Sequence, residues 1–334
     1  MFSHLRAKIL IVVLLVSSAM FSKIEAQGQA TALFLRIPPS ARAWGLGRSF
    51  VGLSDDIGSA YYNPSGLVNI EKSQMMLMYA PWLRQFIDDL HYSYLAWASN
   101  LKDIGHVAAH FTYLSLGRQE GTDEFGNPTG TFSSYELAFA ISYGTYLSRD
   151  IALGGTFKYI HSHLANQGAG AEKGSGVGKS FAFDVGITYK VTHRMKLGAS
   201  IVNIGPNMAY IDADQADPLP RALKIGIGYD IVNSQYYKLT AVFDSDIDLV
   251  GLGNKEDRGV KFDQTIFSGG AEFWYGESMA LRAGYYYDKA GDVKSPTFGA
   301  SIMWEKFQFD FGYFKGGTGH PLENQLLFSL IFRY

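Results

Sequence analysis

The chain contains no cysteine, which excludes disulfide frameworks, zinc ribbons and thiol chemistry. Charge is scarce too: Asp, Glu, Lys and Arg make up 18% of the 334 residues, against about 25% in an average protein. A net charge of −2 leaves no basic footprint for nucleic acid. Beyond the first 26 residues, no apolar run has the length of a membrane-spanning helix, which needs about 20 residues. In place of charge the chain carries 15% aromatics, 21 Tyr and 23 Phe among them, and 37 Gly. That bias excludes a disordered chain and argues against a helical bundle, because aromatics and Gly are poor helix formers.

The N-terminus reads as an address. Arg6 and Lys8 precede an apolar run from Ile9 to Val16 that continues through Ser17, Ser18, Ala19 and Met20, the pattern of a secretory signal peptide. Cleavage is expected after Ala26, with the less usual Ile24 at the −3 position. With no Cys, lipoprotein processing is excluded. Removing residues 1–26 takes away Arg6, Lys8, Lys23 and Glu25 and moves the net charge from −2 to −4. The mature chain is expected to be exported.

The dominant periodicity downstream is two. Phe181, Phe183, Val185, Ile187 and Tyr189 alternate with Ala182, Asp184, Gly186, Thr188 and Lys190; Phe307 to Phe314 and Leu223 to Asp230 repeat the pattern. Strand side chains point alternately to opposite faces, so each segment has one greasy face and one face of Gly, small and charged residues. The pattern predicts fourteen strands, near 73–82, 91–99, 105–117, 134–148, 151–164, 180–191, 195–205, 221–232, 236–248, 262–276, 279–288, 295–305, 307–316 and 324–334. Most match the nine to eleven residues of a tilted membrane strand. Links after even-numbered strands are tight, as at Arg149-Asp150 and Glu277-Ser278. Those after the third, fifth, seventh and ninth run long and polar, over 118–133, 165–179, 206–220 and 249–261. Short turns on one rim and long loops on the other are how outer-membrane barrels are built. The expected fold is therefore all-β, a 14-stranded antiparallel transmembrane barrel with both termini at the periplasmic rim.

Two further sets of residues fit this architecture. Leu326, Phe328, Leu330, Phe332 and Tyr334 share one face of the last strand, and this ending resembles the signal read by the outer-membrane insertion machinery. On the opposite phase, Asp184, Lys190, Lys224, Asp230, Asp244, Asp246, Asp248 and Asp310 are expected to face the lumen. They would line a water channel in a porin, or bond a plug in a plugged barrel; the second is favoured.

Residues 27–72 precede the barrel, which is expected over 73–334. They carry Ala41-Arg42-Ala43-Trp44-Gly45-Leu46-Gly47, then Asp55-Asp56, then Tyr61-Tyr62-Asn63-Pro64-Ser65-Gly66-Leu67. Ser54 is a plausible N-cap that would place Asp55 and Asp56 in a first helical turn. Pro64 restricts Asn63 to extended geometry and ends that helix. A compact helical plug inside the barrel is expected. This stretch resembles the N-terminal hatch of FadL-type fatty-acid channels, and more closely the PorV/PorQ family, whose members carry a similar ARxxGLG, DD and YYNPxGL series; Ser65 departs from the family's usual Ala. The resemblance implies a FadL-like barrel in which Gly45, Gly47, Asp55, Asp56, Asn63, Pro64 and Gly66 form the hatch or gate. It also implies an outer-membrane component of type IX secretion that receives or anchors exported cargo. The alternative it implies is a FadL-like channel for hydrophobic molecules such as long-chain fatty acids. Expected partners are outer-membrane lipid, the insertion machinery, and either secretion components and cargo or a hydrophobic ligand.

Other constellations point to ordinary structure. Gly174 to Ser180 leaves three residues before Gly178-Lys179 where a phosphate loop needs four, and a strand follows instead of a helix. Gly45-Leu46-Gly47 meets Phe50 where a dinucleotide fingerprint needs Gly. His161 with His163, and His106 with His110, share strand faces without an identifiable third ligand. Asp212, Asp214 and Asp217 read as an acidic solvated loop. No catalytic constellation emerges, so a non-enzyme without cofactor or metal is expected.

Overall fold

A computed structural model describes residues 30–83, 89–102, 104–123, 125–165, 176–210, 216–251, 262–317 and 319–334. Fourteen strands follow a short helical segment: β1 Gln74–Pro81, β2 His91–Leu101, β3 Gly105–Thr122, β4 Pro128–Tyr146, β5 Ile151–His163, β6 Val177–Lys190 and β7 Met195–Ile204. The second half contributes β8 Ala222–Asn233, β9 Tyr237–Asp248, β10 Ile266–Tyr275, β11 Met279–Asp288, β12 Val293–Trp304, β13 Phe307–Phe314 and β14 Gln325–Arg333. Each pairs antiparallel with its neighbours in sequence, and β1 pairs with β14 to close the barrel. Closure is direct at the chain end, where the Tyr334 amide donates to the Ser73 carbonyl and Trp97 Nε1 donates to the Tyr334 hydroxyl.

The burial pattern is that of a membrane wall. Leu77, Leu95, Phe111, Phe139, Phe157, Phe183, Phe243, Phe298 and Phe328 are exposed on the outside, while Ala96, Ala108, Ala138, Ala140, Ala182, Ser142 and Ser200 are buried inside. A soluble sandwich packs its large side chains inward; here they face out, as lipid requires. Among the described residues no helix is long and apolar enough to cross a membrane, so the crossing is made by strands. Leu326, Phe328, Leu330, Phe332 and Tyr334 lie on the outward phase of the last strand and its end.

Loop parity needs one correction. Links after even-numbered strands are short throughout, from 102–104 to 305–306. The predicted loop 118–133 is mostly strand, because β3 and β4 run on to Thr122 and from Pro128. Its Gly and Thr residues read as loop because they lack the greasy alternation, and above the membrane no lipid demands that alternation. The link 289–292 after β11 is also short. The predicted loop 165–179 lies partly, and Asp212 and Asp214 wholly, outside the described residues, as does the signal segment 1–26.

Two outcomes follow from this topology. Unboiled protein should migrate differently from boiled protein in detergent gels, because a closed barrel offers no unpaired edge from which unfolding can start; equal migration would contradict the closed wall. An epitope inserted at Asn127 should be labelled on intact cells, and one at His193 or Asn233 should not; the reverse pattern would invert the barrel.

Candidate functional site

The lumen is occupied by the chain's own N-terminal segment. It consists of a 3-10 turn at Leu33–Arg36, α1 at Ala41–Trp44, α2 at Ser59–Tyr62 and a 3-10 run at Pro64–Asn69. Helices this short do not persist alone in water; they are held by caps and by the wall. Ser40 caps α1, its Oγ accepting from the Ala43 amide. Asn63 is extended, as expected before proline, and ends α2 while its side chain accepts from the Ser65 amide. Pro64 then occupies the first position of the next turn, where its missing N–H costs nothing. The expected cap at Ser54 is not formed: α2 begins at Ser59 after Gly58. Ser54 Oγ instead donates to the Phe50 and Val51 carbonyls. Asp56 keeps one oxygen on the Gly58 amide ahead of α2, and both Asp55 and Asp56 turn a carboxylate oxygen to a stronger partner.

That partner is Arg42. Its guanidinium lies 2.7 Å from Asp55 Oδ1, 2.7 Å from Asp56 Oδ2 and 2.7 Å from Glu272 Oε1 of β10. Glu272 is shared with Arg282 of β11, whose Nε lies 2.6 Å away, and Arg282 Nη1 reaches Asp310 of β13 at 3.5 Å. The chain of charges thus runs from the hatch across four strands of wall. Burial opposes the charge on Arg42, but Asp55, Glu272 and Asp56 outweigh it and hold its pKa well above the ordinary value. Burial likewise pushes the Asp55 carboxyl up, and Arg42 more than reverses it; for Asp56 burial prevails and its pKa is raised.

Backbone meets backbone elsewhere. Gly45 packs on Gly299 of β12, where a Cβ would come within 2.9 Å of the Gly299 Cα. Gly47 has φ +70°, a left-handed conformation that glycine adopts freely, and its amide donates to Thr297 Oγ1 at 2.9 Å. Pro64 and Asn63 rest on Gly154 and Gly186 of β5 and β6, and Gly66 lies against Ser54. The glycines of the inward phase are therefore the seat of the hatch. Asn63 Nδ2 donates to the Ile187 carbonyl and to Thr188 Oγ1, each at 3.2 Å. Replacing Asn63 by Ala leaves such partners unmatched at about 1–3 kcal/mol and should lower thermal stability without blocking membrane insertion. A Pro64→Ala variant should behave similarly but more mildly; unchanged melting in both would leave the turn without a role in seating the hatch.

The eight inward charges divide by partner. Asp244 accepts from the Phe50 and Val51 amides at 2.6 and 2.8 Å, and Asp248 pairs with Arg36 at 2.7 Å, so these two bond the hatch. The others pair mainly within the wall. Asp184 meets the buried Lys158 at 2.7 Å and accepts from the Asn203 amide at a bulge in β7. Lys224 meets Asp246 at 2.7 Å, and Asp310 accepts from Gln308 and Ser301. Asp230 and Lys190 stand near the rim of short turns, against Lys238 and Tyr146. A cavity beside Leu35, Arg36, Tyr61, Lys158 and Asn203 holds about 10 Å³, room for about one water.

Residues 177–180 form the start of β6, which leaves no phosphate loop, and His161 and His163 stack on Tyr135 outside the barrel. Among the described residues no group of three metal-ligating side chains gathers. The residues that sequence reading passed over are Arg42, Glu272, Arg282 and Lys158. Glu272 does carry a signal, a carboxylate in the inward phase of a strand that has no other charge.

The sequence matches the family described as Type IX secretion system protein PorV over residues 23–253, which spans the hatch and the wall through β9. The chain belongs to the PorV family. Its fold is shared with the toluene transporter TodX of Pseudomonas putida, at TM-score 0.54 and 12% identity, covering 84% of this chain and 94% of that one. The toluene transporter TbuX of Ralstonia pickettii gives 0.53 and 14%, covering 89% and 98%. No curated protein matches the sequence significantly. As a PorV-family member with a closed 14-stranded wall, the protein is located in the outer membrane.

Proposed function

We propose that this PorV-family barrel receives exported cargo proteins at the cell surface and anchors them there as part of type IX secretion. The family match over both hatch and wall carries the reading. The seating of residues 30–72 supports it: a lumen filled by its own backbone on a glycine track suits a surface receptor better than a conduit. Outer-membrane lipid surrounds the wall, the insertion machinery reads the final strand, and no catalytic step is assigned. The toluene transporters share only the fold at this identity. A hydrophobic-uptake role would need the Asn63-Pro64 turn to leave its seat.

The test is deletion of the gene in a cell whose genome encodes proteins with type IX sorting domains. Those proteins should build up in the periplasm and vanish from the surface. Normal surface display together with lost uptake of long-chain fatty acids would replace this reading by the transport one.

A further inference from the structure

Above the membrane β3 and β4 leave the barrel as a two-stranded ribbon. Pairing of β3 with β2 ends at Ser115 opposite His91, and pairing of β4 with β5 ends at Tyr135 opposite His163. From Arg118 opposite Ser133 to Thr122 opposite Pro128 the two strands, among the described residues, form ladder pairs only with each other. Each therefore presents an outer edge on which alternate residues direct N–H and C=O groups away from the partner strand.

The two edges are treated differently. That of β3 is covered by the chain itself: Asp89 Oδ2 accepts from the Arg118 amide at 3.0 Å, and the Ser115 side chain accepts from the Gly117 amide. It also carries Arg118 and Glu120, charges that discourage strand pairing. The edge of β4 is Thr129-Gly130-Thr131-Phe132-Ser133, without charge and without proline. Among the described residues nothing bonds its backbone on the outer side. Four of these five residues are exposed. Phe125 at the ribbon tip is 81% exposed, and at the foot of the edge the Tyr135 ring stacks with His161 and His163 at 5.9 and 5.2 Å.

We propose that the edge of β4 over Thr129–Ser133, unpaired on its outer side among the described residues, captures an extended segment of the cargo polypeptide by strand addition. An unpaired strand edge is complementary to one chemistry, another peptide backbone in extended form. Backbone pairing reads no particular side chains, which suits a receptor that serves many cargoes. The tip Phe125 and the Tyr135 shelf flank the added strand and supply apolar contact. The inference rests on the proposed role as a cargo receptor.

The experiment measures affinity of the full-length protein in detergent for the isolated C-terminal domain of a type IX cargo protein from the same cell. Thr131→Ala and Phe132→Ala should bind within about twofold of wild type, whereas Thr131→Pro or Phe132→Pro, whichever residue donates outward, should bind about tenfold or more weakly, since one backbone partner is left unpaired. Heat-modifiable migration of all four variants controls for folding. In the wild-type protein, amides of 129–133 should gain protection from hydrogen exchange on binding. Full affinity in both proline variants, equal losses in the alanine variants, or no new protection would overturn the edge while leaving the receptor role standing. Self-association through the edge without cargo binding would assign it to a second copy and overturn the proposal. No binding by wild type would remove the receptor role and the inference together.

Discussion

An Arg42→Leu variant should insert and migrate as a closed barrel, yet leak. The substitution leaves Asp55 and Asp56 inside the lumen with no cation within bonding distance, and Glu272 with Arg282 alone. Removing one partner from a buried ion network costs about 3–5 kcal/mol, and the relief available is movement of the hatch into water. None of the lost bonds belongs to the strand ladder, so the wall is unaffected. Conductance in planar bilayers should rise from the closed wild-type level to that of an open pore. Arg42→Lys keeps the charge but not the planar fork that reaches three carboxylates at once, and should leak less. Silent bilayers with Arg42→Leu would show that the glycine seat alone holds the plug.

The seat itself is tested by neighbouring glycines on opposite faces of β5. A side chain at Gly154 would enter the space of the Pro64 carbonyl and the Ser65 amide, whereas one at Gly155 meets only the Asp184 carbonyl at 3.6 Å. Valine suits a strand at either position. Gly154→Val should nevertheless displace the hatch, at a cost of at least the roughly 1–3 kcal/mol of overpacking, and open the pore. Gly155→Val should stay closed and melt near wild type. Matching behaviour of the two would mean that the hatch is not held against this wall.

How far the sequence could be read depends on the range of the interaction. Alternation such as Phe181 to Tyr189 is local, so all fourteen strands were legible to within a few residues, apart from the extensions of β3 and β4 outside lipid. The inward phase of Asp244 was equally legible, because phase follows from counting by twos. Which inward charge bonds the hatch was not, since the Phe50 and Val51 amides lie far from Asp244 in sequence. Arg42 and Glu272 lie 230 residues apart, and no periodicity links them. Ser54 failed as a cap because its hydroxyl turns back to the Phe50 and Val51 carbonyls and Asp55 turns to Arg42, while Asp56 takes the Gly58 amide at the turn's start. Lys158 shares the inward phase of β5, but its diagonal partner Asp184 on β6 and the Asn203 side chain it also bonds are set by strand register, which alternation alone does not give.

The central claim is that the hatch stays seated while the protein works. The chain has no cysteine of its own, so a designed pair is unambiguous. Ser49 of the hatch and Ser268 of β10 place their hydroxyl oxygens 2.8 Å apart, close to the roughly 2.05 Å of a disulfide. The measurement is surface display of type IX cargo in cells carrying Ser49→Cys with Ser268→Cys, oxidised and then reduced. Display at the wild-type level with the disulfide closed is the predicted result. Display that stops on oxidation and returns on reduction would show that the hatch must move, and would contradict the account.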